Sequence, residues 1–118
     1  MPTPESYTKK RLREILAQYD GMYSYWPVPS GFGRTTVDCL GCYRGRFFIV
    51  ETKAEKKKPT LKQTIELQDA EAAMGKSFWM AGPKDPAFDD LIAWLNDLRK
   101  NVPNDPRVTP DAVNRRPI

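Results

Sequence analysis

The stretch VDCLGCYRGRFFIVETK, residues 37–53, decides how this chain folds. Phe47, Phe48, Ile49 and Val50 have strong strand propensity, and Arg44-Gly45 is a turn signal between two apolar runs. The spacing predicts two short antiparallel strands joined by a two-residue loop at Arg44-Gly45. Tyr43 then pairs with Arg46, and counting back sets Asp38 opposite Glu51. Side chains alternate along a strand, so Glu51 and Lys53 share a face with Phe47 and Ile49. Two carboxylates directly across an antiparallel pair repel one another. A divalent cation between them would remove that repulsion.

A hard cation such as Mg²⁺ is held by one or two carboxylates together with waters and phosphate oxygens. Such an ion polarises a phosphodiester and lowers the pKa of water. Lys53, two residues beyond Glu51 on the same face, is placed to orient that water or to offset developing negative charge. Asp38, Glu51 and Lys53 together describe a metal-dependent phosphodiesterase site. An exposed strand face with ordinary charges carries the same E-x-K spacing, and both readings stand on the residues alone.

The run from Gly31 to Gln63, GFGRTTVDCLGCYRGRFFIVETKAEKKKPTLKQ, resembles the VRR-NUC branch of the PD-(D/E)XK nucleases in its compact phage or bacterial form. The resemblance extends from about Glu5 to Gly82. It implies that Asp38 is the first acidic residue of the family motif and that Glu51 and Lys53 are its E-x-K. It implies a role for Gln63 near the attacking water, and for Glu5 as a further acidic residue joining the metal site. It also implies structure-selective cutting of branched DNA, such as four-way junctions or flaps, by a homodimer. Val37 departs from the family, which usually has proline before the acidic position.

Composition sets the bounds. The chain has 118 residues, 40% of them hydrophobic, which suits one domain of residues 1–100 followed by a polar, proline-containing tail of residues 101–118. No apolar run reaches the length of a membrane span, and MPTPESYTKK lacks a signal-peptide core, so a soluble cytoplasmic protein is expected. The net charge of +4 suits a polyanionic partner. Histidine is absent, which removes His-based acid–base chemistry and the Ser-His and Cys-His nucleophile pairs. Cys39 and Cys42 are three apart on a strand and should face opposite sides, and with no other cysteine a zinc site lacks ligands. Buried thiols are the better reading of that pair.

The remaining segments take shape around this hairpin. Thr3-Pro4-Glu5 has the form of a helix start, and Leu12, Ile15, Leu16 and Tyr19 give that helix a buried stripe, with Gly21 expected at its end. Glu5 lies one heptad before Leu12 on the same side, where it either joins the site or simply complements the helix dipole. Tyr23, Tyr25, Trp26 and Val28 suggest a short strand interrupted by Pro27 and Pro29. Thr60 to Gln63 reads as a capping box, which by itself accounts for Gln63; a role near the water requires its side chain to turn away from the cap. The helix should run to a C-cap at Gly75, and residues 77–81 should form a strand parallel to the E-x-K strand. Asp85-Pro86 opens a last helix whose Phe88, Leu91, Ile92, Leu95 and Leu98 cap the sheet or form a dimer interface.

From Arg44 to Lys62 there are seven basic residues against two acidic ones. Arg44, Arg46, Lys56, Lys57, Lys58 and Lys62, with Arg34 in the glycine-rich turn before Asp38, are the expected DNA contacts. The expectation is an α/β fold: a small mixed β-sheet flanked by helices, with a PD-(D/E)XK restriction-endonuclease-like core. The expected function is a Mg²⁺- or Mn²⁺-dependent DNA endonuclease. Asp38 and Glu51 would bind metal with Glu5, while Lys53 and Gln63 would act on the water. A non-catalytic DNA-binding module of the same shape is one rival. A sequence-specific restriction-type nuclease is another, although the chain offers no helix rich in groove-reading side chains.

Overall fold

The computed structural model describes residues 3–27, 37–103 and 105. Three helices and four strands follow one another as α1 (Pro4–Leu16), β1 (Tyr23–Tyr25), β2 (Cys39–Tyr43), β3 (Arg46–Lys53), α2 (Leu61–Ala72), β4 (Lys76–Ala81) and α3 (Ala87–Asn101). The strands form one mixed sheet in the order β1-β2-β3-β4, antiparallel except for the β3–β4 pair. This is the small mixed α/β architecture expected from the sequence. None of the helices among the described residues is long and apolar enough to cross a membrane.

The hairpin has the expected register. Tyr43 pairs with Arg46 and Cys39 with Val50. Arg44 and Gly45 both have positive φ, 52° and 80°, the signature of a type I′ turn whose twist matches that of the flanking strands. One face of the sheet carries the main core. Leu12, Ile15, Leu16 and Tyr19 of the N-terminal segment and Phe88, Leu91, Leu95 and Leu98 of α3 pack there against Cys39, Tyr43, Phe48, Val50, Phe78 and Met80. The apolar stripe of α3 is therefore spent inside the molecule, capping the sheet. On the other face α2 covers only a small cluster of Val37, Ile49 and Ala70, with Leu40 and Leu67 beside it.

Helix boundaries follow local chemistry, and two of them differ from expectation. Thr3 caps α1, its side chain accepting a hydrogen bond from the Ser6 N–H, with Pro4 just inside the helix. The helix then ends at Leu16 with Ala17 as its C-cap, before Gly21 is reached. Turn bonds from Gln18 to Ile15 and from Tyr19 to Leu16 swing Tyr19 into the core, where its ring meets Tyr43 edge-on. At the end of α2 the left-handed residue is Met74 (φ 69°), and Gly75 follows it. The Gly75 N–H reaches back to the Ala70 carbonyl and the Met74 N–H to that of Glu71, a Schellman closure. Gly75 is needed for space: a Cβ there would lie 2.7 Å from the Phe47 ring.

The β4 edge of the sheet is protected at both ends. Glu71 accepts a hydrogen bond from the Ser77 N–H and Asp85 one from the Ala81 N–H, so two backbone donors of edge strand β4 are occupied by side chains.

Gly41 lies beneath the Phe48 ring, and a Cβ at that position would run into it. Gly41→Ala should therefore destabilise the protein by about 1–3 kcal/mol through overpacking. Gly45→Asn, at an open left-handed position, should stay within about 0.5 kcal/mol of wild type. Urea unfolding of the two variants checks the pair.

Candidate metal-binding and catalytic site

Continuing the hairpin register by one residue sets Asp38, just before β2, beside Glu51. The Asp38 N–H donates to the Glu51 carboxylate at 3.1 Å. The Asp38 carboxylate accepts from the Thr52 N–H at 2.8 Å and from the Thr52 hydroxyl at 2.9 Å. The two acids thus meet at the end of the hairpin remote from its turn. Glu51 is only 3% exposed. Burial, and then the neighbouring Asp38 carboxylate, push its pKa up to about 7, against the opposing pull of Lys53.

Helix α1 supplies the counter-charges. Lys53 Nζ lies 3.4 Å from the Glu5 carboxylate, and Lys9 Nζ lies 3.7 Å from that of Asp38. Glu5 and Lys9 are one helical turn apart, so a single face of α1 reaches both halves of the site. Thr8, fully buried between them, donates its hydroxyl to the Lys53 carbonyl at 2.9 Å. That same carbonyl accepts the Gly82 N–H at 2.9 Å, which ties the end of β3 to α1 and to the turn after β4.

The expected site residues divide into those gathered at this point and those used elsewhere. Asp38, Glu51, Lys53 and Glu5 are linked in one network, with Glu5 holding Lys53. Among the described residues no three His, Cys, Asp or Glu side chains converge as a ready-made metal cluster. Gln63 is held by its helix cap: its side-chain oxygen accepts from the Thr60 N–H at 3.0 Å and the Thr60 hydroxyl at 3.2 Å, so the turn away from the cap is not made in this conformation. Arg44 is also differently employed. Its guanidinium donates to the carbonyls of Arg99 (2.9 Å) and Val102, closing the C-terminus of α3 rather than facing outward for DNA. Arg34 lies outside the described residues.

Arg46, Lys56, Lys57, Lys58 and Lys62 are exposed. The lysine loop is anchored: the Trp79 indole N–H donates to the Lys57 carbonyl at 2.9 Å, and Lys56 takes a left-handed backbone (φ 62°). Cys39 is buried and Cys42 half-buried, both as free thiols. Burial pushes the Cys39 thiol up to about 12, far from a reactive thiolate.

Sequence reasoning missed Thr8, Lys9 and Thr52. Thr8 had a usable signal, because it stands at i−4 and i−7 from Leu12 and Ile15 on the buried stripe. Lys9 follows Glu5 at i+4, a spacing equally common on solvated helices. Thr52 faces the opposite side of β3 from Glu51, and no local pattern marks it.

Compared with protein-family models and with curated proteins, the chain matches none of either.

The Glu51 shift has a consequence for stability. Its folded pKa lies above that of the unfolded chain, so between the ordinary glutamate range and about pH 7 the folded state binds more protons. Stability therefore falls as pH rises through that window. With a chelator present, the melting temperature should drop between about pH 5 and about pH 8, by a free energy on the order of 1–3 kcal/mol. In Glu51→Gln most of this slope should vanish. A thermal-melt series across pH, run on both proteins, checks it.

Proposed function

We propose that this chain is a divalent-metal-dependent DNA endonuclease of the PD-(D/E)XK type, in the compact VRR-NUC form. The observation that carries the reading is the buried Glu51 carboxylate abutting Asp38, with Lys53 two residues further along the same strand. Burying one acid against another is unfavourable unless something positive is bound there. The network contains three carboxylates, Glu5, Asp38 and Glu51, and two lysines, Lys9 and Lys53, so one negative charge is unbalanced once Glu51 ionises. The hard oxygen donors fit Mg²⁺ or Mn²⁺.

Asp38 and Glu51 would hold the ion, with Glu5 joining them if it releases Lys53. When bound, the ion supplies Lewis-acid polarisation of a phosphoryl oxygen and activation of water. The protein's own contribution is positional. Lys53, steadied by Glu5 through its ammonium and by Thr8 and Gly82 through its carbonyl, directs an ammonium at the scissile phosphate. Lys56, Lys57 and Lys58, on a loop tethered by Trp79, offer the phosphate backbone a fixed positive edge. Branched DNA as substrate, a homodimer as the working unit and a cytoplasmic location belong to this same proposal.

A non-catalytic DNA-binding module is the second reading. It is favoured by the protein partners already engaged by Asp38, Lys53 and Gln63. Incubation with plasmid, linear and four-way-junction DNA, with Mg²⁺ or with a chelator, separates the two.

The nuclease reading expects cutting that needs the metal, is abolished in Glu51→Gln and Lys53→Ala, and leaves DNA binding in place. Full activity in either variant overturns the site assignment. Replacing Lys56, Lys57 and Lys58 together with alanine should weaken binding and lower the salt slope by up to ~0.9 for each phosphate no longer neutralised. Affinity measured over a salt series reads this directly.

A further inference from the structure

The part of the sheet that α2 leaves uncovered carries aromatic rings on the face to which Glu51 belongs. Tyr23 pairs with Cys42, which pairs with Phe47; Tyr25 pairs with Leu40, which pairs with Ile49. Register partners share a face, so Tyr23, Tyr25 and Phe47 stand on the same side of the sheet as Glu51 and Lys53. The three rings are 51%, 52% and 42% exposed. Strand β1 is exposed along its whole length, because α2 packs on β3 and β4 instead. Contiguous exposed aromatics on a sheet face mark a binding surface.

The position of the rings selects a ligand. Leu40, beside Tyr25, is two strand residues from Asp38, about 7 Å along β2. Tyr23 is a further ~7 Å away in the same direction. A strand lying along β1 from the end nearer Asp38 meets Tyr25 and then Tyr23. Exposed positive charge lies at one end of the path, where Lys56, Lys57 and Lys58 follow the carboxylate end of β3. Aromatic π-faces flanked by cations suit a polyanion with planar groups along its length. In a duplex the bases are already stacked and paired, whereas in a single strand their faces are free to stack on protein rings.

We propose that Tyr23 and Tyr25, with Phe47 beside them, form a stacking platform for unpaired DNA bases adjacent to the carboxylate pair. Resting on the nuclease reading, this makes the substrate a DNA with a single-stranded stretch next to the cut. The duplex part lies against the lysine loop, and the unpaired part lies across the tyrosines.

The test uses the full chain with a single-stranded oligonucleotide carrying 2-aminopurine, in chelator so that no cutting occurs. Wild type should bind and quench the fluorescence, as a stacked base does. Tyr23→Phe and Tyr25→Phe should behave like wild type. Tyr23→Leu and Tyr25→Leu should each lose about tenfold in single-strand affinity, together with the quenching, while duplex affinity changes by less than about twofold. Thermal melts confirm that the leucine variants are folded. No quenching by wild type, or leucine variants that bind the single strand as wild type does, overturns the platform. Cleavage with Mg²⁺ is read separately. Tyrosine-dependent stacking without cutting leaves the platform standing and removes the nuclease reading; cutting with tyrosine-independent binding does the reverse.

Discussion

The contact between Asp38 and Glu51 is the constraint on which the rest of this structure turns. A carboxylate removed from water beside a second carboxylate is held against its own electrostatics. The type I′ turn at Arg44-Gly45 sets the register that brings the two together, and the Asp38 N–H and the Thr52 hydroxyl and N–H keep them there. The surroundings answer with alternating charge: Lys9 beside Asp38, Lys53 beside Glu51, and Glu5 beside Lys53. In the proposed reading this strand end takes a cation, and the raised Glu51 pKa makes its stability depend on pH.

The same strand end is where the tertiary structure converges. The Lys53 carbonyl accepts from Thr8 of α1 and from Gly82 after β4, so three separate elements are tied to one backbone oxygen. Gly82 itself leaves no room for a side chain, because a Cβ there would lie 2.7 Å from the Glu55 side chain. Trp79 on β4 then holds the lysine loop through its indole N–H. If the loop binds phosphate as proposed, its tethering lowers the conformational entropy lost on binding. The tightly packed face under α1 and α3 provides rigidity, while α2 covers only part of the opposite face.

Much of this was legible in local pattern. Strand propensity on either side of Arg44-Gly45 was enough to specify a hairpin and its register, because a two-residue loop allows one pairing. The Thr3 and Thr60 caps and the stripe of α3 were equally readable, since each depends on neighbours three or four residues away. The end of α1 differs from its local reading because packing draws Tyr19 into the core, and that of α2 because the exposed Met74 takes the left-handed position ahead of Gly75. Nothing near Arg44 in the chain announces the C-terminus of α3, 55 residues away, to which its guanidinium donates.

The amino-acid sequence alone determined the mixed α/β arrangement, the hairpin register and hence the meeting of Asp38 with Glu51, because these follow from short-range sterics and strand pairing. Tertiary structure decided what surrounds that pair: Lys9 and Thr8 on α1, Thr52 gripping Asp38, Gln63 retained by its cap, and Tyr23 and Tyr25 left exposed. Those outcomes depend on how helices dock against the sheet and which face they leave open. Such docking is a balance of burial over residues far apart in the chain, and no local window contains it.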